Sequence, residues 1–289
     1  MIYDLLIGPF VEFEFMRRAL VGTVALSLGG APVGVFLMLR RMSLMGDAMA
    51  HAILPGAAIG FLIFGLNLIP MTVGGIAAGL AVVLASGVVA RFTALKEDAS
   101  LAAFYLISLA LGVIIVSMRG SNVDLMHVLF GTVLALDDPT LLLLAGITTV
   151  TLITLAVLWR PLVLDCVDPG FLRSVSRAGT PAHLAFLALV VLNLVAGFHA
   201  LGTLLAVGLM MLPAIAARFW GRDVTTLSAI AILFGIFSGY AGLVLSYNMS
   251  TPSGPSIVLM AGLVYAVSLV FGPRGGLLPT YWPARHREA

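Results

Sequence analysis

The chain has 289 residues, 61% of them hydrophobic and only 10% charged, with a mean hydropathy of +1.14 and a formal net charge of +2. A soluble domain carries about 25% charged residues, so this composition excludes a water-soluble globular fold. The few charges mark topology rather than a nucleic-acid surface, and the single cysteine, Cys166, excludes an internal disulfide or a Cys-rich metal cluster.

Apolar runs near the roughly 20 residues needed to cross a bilayer recur along the whole length. The fold class is all-α: a polytopic helical membrane protein with about 8–9 transmembrane helices. A β-barrel would show short alternating segments instead. The chain divides into an N-terminal interfacial segment at 1–16, a transmembrane domain at 17–275 and a C-terminal tail at 276–289. The opening "MIYDLLIGPFVEFEF" is acidic with no basic run ahead of it, so no cleaved signal peptide is expected.

The first span covers about 18–39. The second, 47–66, contains the stretch "LMGDAMAHAILPG" at 44–56. Twelve of the thirteen acidic residues fall near predicted span ends or in loops; Asp47 alone sits where a span should be under way. With a helix starting near Arg41, Asp47 lies about 9 Å along it and His51 about 15 Å. An ionisable group at that depth costs several kcal/mol unless it faces a cavity or a partner. The i, i+4 spacing puts both side chains on one helix face. A carboxylate oxygen and an imidazole nitrogen suit a divalent transition metal, and the same pair also suits a proton relay or a plain internal hydrogen bond. Pro55 removes the amide that would bond the carbonyl of His51, and Gly56 follows, so a kink is expected one turn beyond the pair.

Spans at 70–91 and 99–118 come next. The only lysine, Lys96, lies between them in "TALKEDAS", with no G-x-x-x-x-G-K-[ST] pattern around it. The chain therefore carries no P-loop of its own. The stretch 123–136, "VDLMHVLFGTVLAL", is too short to span and reads as a surface or re-entrant helix holding Asp124 and His127. After the span 139–160, the stretch 165–181 opens at Pro169-Gly170. Phe171, Leu172 and Val175 form an apolar side, Arg173 and Arg177 are solvated, and Gly179 and Pro181 end it. It is either an ordinary polar connection or a short helix that docks in a partner's groove.

Spans at 182–198 and 200–217 are separated by "GFHALG", which holds His199. Asp124, His127 and His199 together are a possible entrance for a cation. The late spans, 224–247 and 255–272, contain no His, Asp or Glu. Small residues four apart, Gly56 and Gly60, Gly75 and Gly79, Gly235 and Gly239, predict close helix packing. Placing the loop 160–181 inside leaves twelve basic residues inside and three, Arg17, Arg18 and Arg119, outside.

The chain resembles the membrane subunit of zinc/manganese ABC importers, the ABC-3 permease family. The resemblance rests on "VGVFLMLRRMSLMGDAMAHAILPGAAIGF" (33–61), "NVDLMHVLFGTVLAL" (122–136), "DPGFLRSVSRAG" (168–179), "ALGTLLAVGLMMLPAIAARF" (200–219) and "SYNMSTPSGPSIVLMAG" (246–262), in that order. It implies an architecture similar to vitamin B12-type importer permeases, in the lipid of a bacterial cytoplasmic membrane. It also implies a homodimer that works with two cytoplasmic ATP-binding subunits and an extracytoplasmic metal-binding protein. Asp47 and His51 are then implicated in the metal pathway. The segment with Asp168, Phe171, Leu172, Val175 and Gly179 matches the position of the coupling helix. The expected activity is transport, not enzymatic: no cofactor is bound permanently, and the cargo is a divalent metal. Two copies of Asp47 and His51 would give two oxygens and two nitrogens, a set that suits tetrahedral zinc. Zinc is thus expected first, with manganese or iron as the alternative. A proton-coupled secondary transporter using Asp47 and His51 as a relay is the rival of another class.

Overall fold

The computed structural model describes residues 6–65, 67–95, 97–118, 136–168, 170–171 and 179–281. No strand occurs among the described residues. The helices in order are α1 (Gly8–Glu12), α2 (Glu14–Leu39), α3 (Ser43–Ala52), α4 (Leu54–Phe64), α5 (Leu68–Phe92), α6 (Glu97–Met118), α7 (Asp138–Val167), α8 (Gly179–Leu201), α9 (Thr203–Ala217), α10 (Val224–Met249), α11 (Ser253–Phe271) and α12 (Leu277–Tyr281). With α3 and α4 taken together, seven stretches are long and apolar enough to cross a membrane, and two shorter apolar helices, Ala99–Ile115 and Thr203–Ala217, join them. Large apolar side chains such as Phe92, Leu142 and Val167 stand exposed around the outside. In water such a surface would aggregate; in lipid it is the ordinary exterior. The predicted helix at 123–136 lies, but for Leu136, outside the described residues, as do Asp124, His127, Leu172, Val175 and the last eight residues.

Helices α2 and α8 are the most enclosed, and the others pack around them. Phe36 of α2 packs edge-on against Trp159 of α7 at 5.4 Å and Phe186 of α8 at 6.1 Å. Small residues set the distances between helices. A Cβ on Gly235 or Gly239 of α10 would come within 2.8 Å of the hydroxyls of Ser27 and Thr23 on α2. Those hydroxyls bond back into their own helix, Ser27 to the Thr23 carbonyl at 2.7 Å and Thr23 to the Leu20 carbonyl at 2.9 Å, so close approach leaves them satisfied. The predicted Gly56 and Gly60 contacts are tighter still. Gly56 meets the backbone of Gly74 on α5, and Gly60 meets Pro70.

Among the boundaries that differ from expectation, three have a local cause. Helix α2 begins at Glu14 rather than 18, because Arg17 and Arg18 are engaged inside it. Arg17 donates to the Val11 carbonyl at 2.9 Å, and Arg18 pairs with Glu14 at 2.7 Å and Asp138 at 3.0 Å. Two arginines that break the charge rule are thus tied to carbonyls and acids at their own end of the bundle. Helix α7 runs on to Val167, past the predicted end at 160, with Pro161 inside it. Helix α8 continues through His199 to Leu201, and the break falls at Gly202, whose φ of 88° favours glycine. Two starts carry acid caps. Asp137 accepts from the Thr140 amide, and Asp223 from the Thr226 amide. The Thr226 backbone N–H, joined by its hydroxyl, holds the Asp223 carboxyl below the usual carboxylate range.

Alternation of the helices brings Arg40, Arg41, Arg218, Arg222 and Arg274 to one end, termed the basic end. Helix α1 lies at the far end, where Phe13 packs on Tyr247 at 5.8 Å.

Candidate metal site

The site is built on a corner. Helix α2 stops at Arg40, and Arg41 takes a left-handed φ of 60°. The Met42 amide reaches the Leu37 carbonyl at 2.9 Å, and the Arg41 amide reaches Met38 at 3.0 Å. That pair of bonds is the Schellman closure, which glycine usually occupies at the left-handed position. Helix α3 starts directly after it, at Ser43. Asp47 therefore lies about 6 Å into its helix and His51 about 12 Å. The carboxylate sits one turn from the basic end, shallower than the sequence implied, and only the imidazole is deep.

Helix α3 packs between α6, α8 and α9 through Met45, Gly46, Ala48, Met49 and Ala52. Its other side is open. Leu44 is 86% exposed, and the side chains of Asp47 and His51 are 69% and 28% exposed. Positions 44, 47 and 51 form one helical stripe, so the polar pair faces out of the bundle rather than into its core. A cleft of about 350 Å³ runs beside Asp47, lined by Arg41, Ser43, Leu101 and Tyr105, among others.

The two site groups do share a face. His51 Nε2 stands 3.8 Å from Asp47 Oδ1, too far for a hydrogen bond. Two ligand atoms at about 2.1 Å from one ion, at a tetrahedral angle, lie about 3.4 Å apart. A small rotation of either side chain would let both hold the same ion. His51 Nδ1 is buried and has no hydrogen-bond partner among the described residues. No group of three or more His, Cys, Asp or Glu side chains that could hold a metal occurs among the described residues. One chain brings together these two side chains alone among the described residues.

The break after the pair falls at Ile53, ahead of Pro55 in α4. The His51 carbonyl, expected to be bared, takes the Ile53 amide. The carbonyl that accepts from outside the helix is Ala52, from the Ser108 hydroxyl of α6 at 2.9 Å. Gly56 serves packing against α5 rather than the bend itself.

The other candidates are dispersed. His199 stands two residues from the far end of α8, with Nδ1 on the Val195 carbonyl at 2.9 Å and its ring edge-on to Phe198. It is not brought to Asp47 and His51, which lie toward the basic end. Asp168 caps the C-terminus of α7, and its Oδ1 accepts the Phe171 amide at 2.9 Å. Phe171 is 53% exposed, and Gly179 is the buried first residue of α8. Two polar groups of the late helices are occupied: Tyr240 donates to the Leu6 carbonyl at 3.0 Å and Ser246 to the Thr251 carbonyl at 2.6 Å.

One polar cluster was not anticipated from the sequence. Arg40 Nη2 lies 2.7 Å from Asp165 Oδ2, with side chains only 6% and 13% exposed. Arg40 Nη1 lies 3.1 Å from His183 Nδ1, and the guanidinium carbon sits 4.4 Å from the Phe186 ring centre. Arginine can only donate, so His183 Nδ1 is the acceptor in this contact.

The sequence pattern of the ABC 3 transport family matches residues 12–272. The manganese transport system membrane protein MntC of Halalkalibacterium halodurans is 32% identical over 279 residues, 96% of this chain and 94% of that protein. The manganese import system permease protein ScaB of Streptococcus parasanguinis is 30% identical over 263 residues, 91% of this chain and 92% of that protein. Among solved structures, PsaBC from Streptococcus pneumoniae, in complex with Fab, matches with a TM-score of 0.85 at 28% identity, over 97% of this chain and 100% of that one.

Proposed function

Since this chain belongs to the ABC 3 transport family, and is a multi-pass permease subunit of a metal importer rather than an enzyme, we propose that its cargo is Mn(II), passed between the Asp47 and His51 pairs of two copies. The observation that carries this reading is the exposed Asp47 carboxylate beside His51 on the open face of α3. A carboxylate turned toward lipid costs several kcal/mol. A second copy across a two-fold axis removes that cost, and each copy then supplies one oxygen and one nitrogen.

Zinc, expected first from a set of two oxygens and two nitrogens, yields to manganese. Two relatives that cover more than nine-tenths of the chain are named for manganese. The chemistry allows it, because Asp47 is open enough for water to enter. Two carboxylates, two imidazoles and waters make the oxygen-rich, six-coordinate shell that manganese prefers.

The basic end is the cytoplasmic one, where two ATP-binding subunits seat on the segment 168–179; the metal-binding protein docks at the far end. Asp168, Phe171, Leu172, Val175 and Gly179 belong to that seat. Phe171 supports it as an aromatic side chain presented at the basic end.

The test is uptake in vesicles holding the permease with its ATP-binding subunits. Mn(II) should accumulate only with ATP, and excess Zn(II) should compete poorly. Uptake on a proton gradient without ATP would sink the reading in favour of a secondary transporter. Separately, Phe171→Asp should release the ATP-binding subunits on size-exclusion chromatography while the permease stays folded. Co-elution at the wild-type ratio would remove Phe171 from the seat.

A further inference from the structure

Arg40 touches three parts of the chain that are far apart in sequence. It is the C-cap residue of α2, three before α3 begins. Its guanidinium pairs with Asp165, three residues before Asp168, where the 168–179 segment starts. It also holds His183 and lies over Phe186, four and seven residues beyond Gly179, where that segment ends. The cluster is closed in behind by Phe36, which packs on both Trp159 and Phe186.

Stability does not account for the pair. Removing two charges from water costs about what their attraction returns, and well-packed apolar residues usually do as well. What the pair supplies is fixed geometry between three helix ends. We propose that Arg40 is a positioning residue for transport: it fastens the α2–α3 corner to both flanks of the 168–179 segment, so that displacement of the segment is delivered to α3 and its Asp47–His51 pair. The inference rests on the reading of that segment as the seat of the ATP-binding subunits.

The experiment measures Mn(II) taken up per ATP hydrolysed by the whole importer in vesicles. Arg40→Gln and Asp165→Asn should keep the ATP-binding subunits bound and hydrolysing, while the ratio falls by about tenfold, the usual scale of coupling between sites. Asp165→Glu should restore most of it. An unchanged ratio in Asp165→Asn overturns the proposal. So does a fall in uptake and hydrolysis together, in proportion to the folded complex recovered. Should either variant fold poorly, a tether decides. With Arg40→Cys and Asp165→Cys in a Cys166→Ser background, a short bis(methanethiosulfonate) cross-linker, which forms a disulfide with each thiol and releases methanesulfinate, should restore the ratio, and reduction in the same preparation should abolish it. A cross-link without effect overturns the proposal. The underlying reading would fail differently, through Phe171→Asp retaining its ATP-binding subunits.

Discussion

Replacing Asp47 or His51 with alanine is expected to reduce ATP-driven Mn(II) uptake by roughly 100-fold or more, since loss of mere supporting groups around a metal site already costs 10–100-fold. The size follows from what each chain contributes. Among the described residues no third ligand stands beside the pair. In a two-fold assembly one substitution therefore removes two of the four protein ligands. The same geometry predicts that folding is spared. Asp47 is largely exposed, its distance to His51 is too long for a hydrogen bond, and His51 Nδ1 has no partner to lose. A surface change such as Asp47→Ala usually moves stability by no more than about 0.5 kcal/mol, and His51→Ala gives up no hydrogen bond at Nδ1. Thermal unfolding in detergent should match the wild type, and the ATP-binding subunits should still co-purify. Wild-type uptake by the double variant would remove both residues from the pathway. Uptake lost together with the folded protein would make them structural instead.

A second large effect is expected at a residue without a side chain. In Gly56→Ala the new Cβ would run into the Gly74 carbonyl and the Ala78 side chain, and Gly74→Ala would run into the Gly56 carbonyl. Backbone cannot turn aside as a flexible side chain does. Overpacked cores lose about 1–3 kcal/mol, and a clash against main chain belongs at or above the top of that range. Little folded protein should survive extraction. Gly87 on the same α5 helix has nothing within 4 Å of its added Cβ, so Gly87→Ala is the matched control. It should melt at or slightly above the wild type, because alanine suits a helix better than glycine. Equal melting temperatures for Gly56→Ala and Gly87→Ala would show that α4 and α5 are looser than their contact implies.

Much of the fold could be read from apolar run length alone, because each crossing must satisfy its backbone within its own helix. The predicted 224–247 and 255–272 correspond to Val224–Met249 and Ser253–Phe271. Two of the boundaries that slipped did so where charge sits inside a helix. Arg17, Arg18 and Asp165 look like loop residues until their partners are known, and those partners include Asp138 and Arg40, more than a hundred positions away. No local spacing announces such pairs. Arg40 accordingly counted only among the basic residues that set topology, and nothing local singled out His183. The Asp47–His51 pair was legible because its signal is local, an acid and an imidazole one turn apart in an apolar span. Which way the pair faces was not legible. That depends on Met45, Gly46 and Met49 fitting between α6, α8 and α9, a matter of shape. The His51 carbonyl shows the same limit, since proline dictates which amide is missing but not which neighbour takes its place.

The division of the second crossing into α3 and α4 has a mechanical consequence. Four residues of non-helical joint bound α3 in all, three at 40–42 and one at Ile53, and α4 beyond it is clamped to α5. The ten-residue piece between them is a short lever with its pivot at Ile53 and Asp47 about 9 Å out along the arm. A swing of about 20° would carry that carboxylate along an arc of roughly 3 Å, given the 1.5 Å rise per residue. An arc of that length exceeds a metal–oxygen bond. A ten-residue piece between two joints is therefore large enough, in stroke, to make or break a hold on a single ion at the proposed Asp47–His51 site.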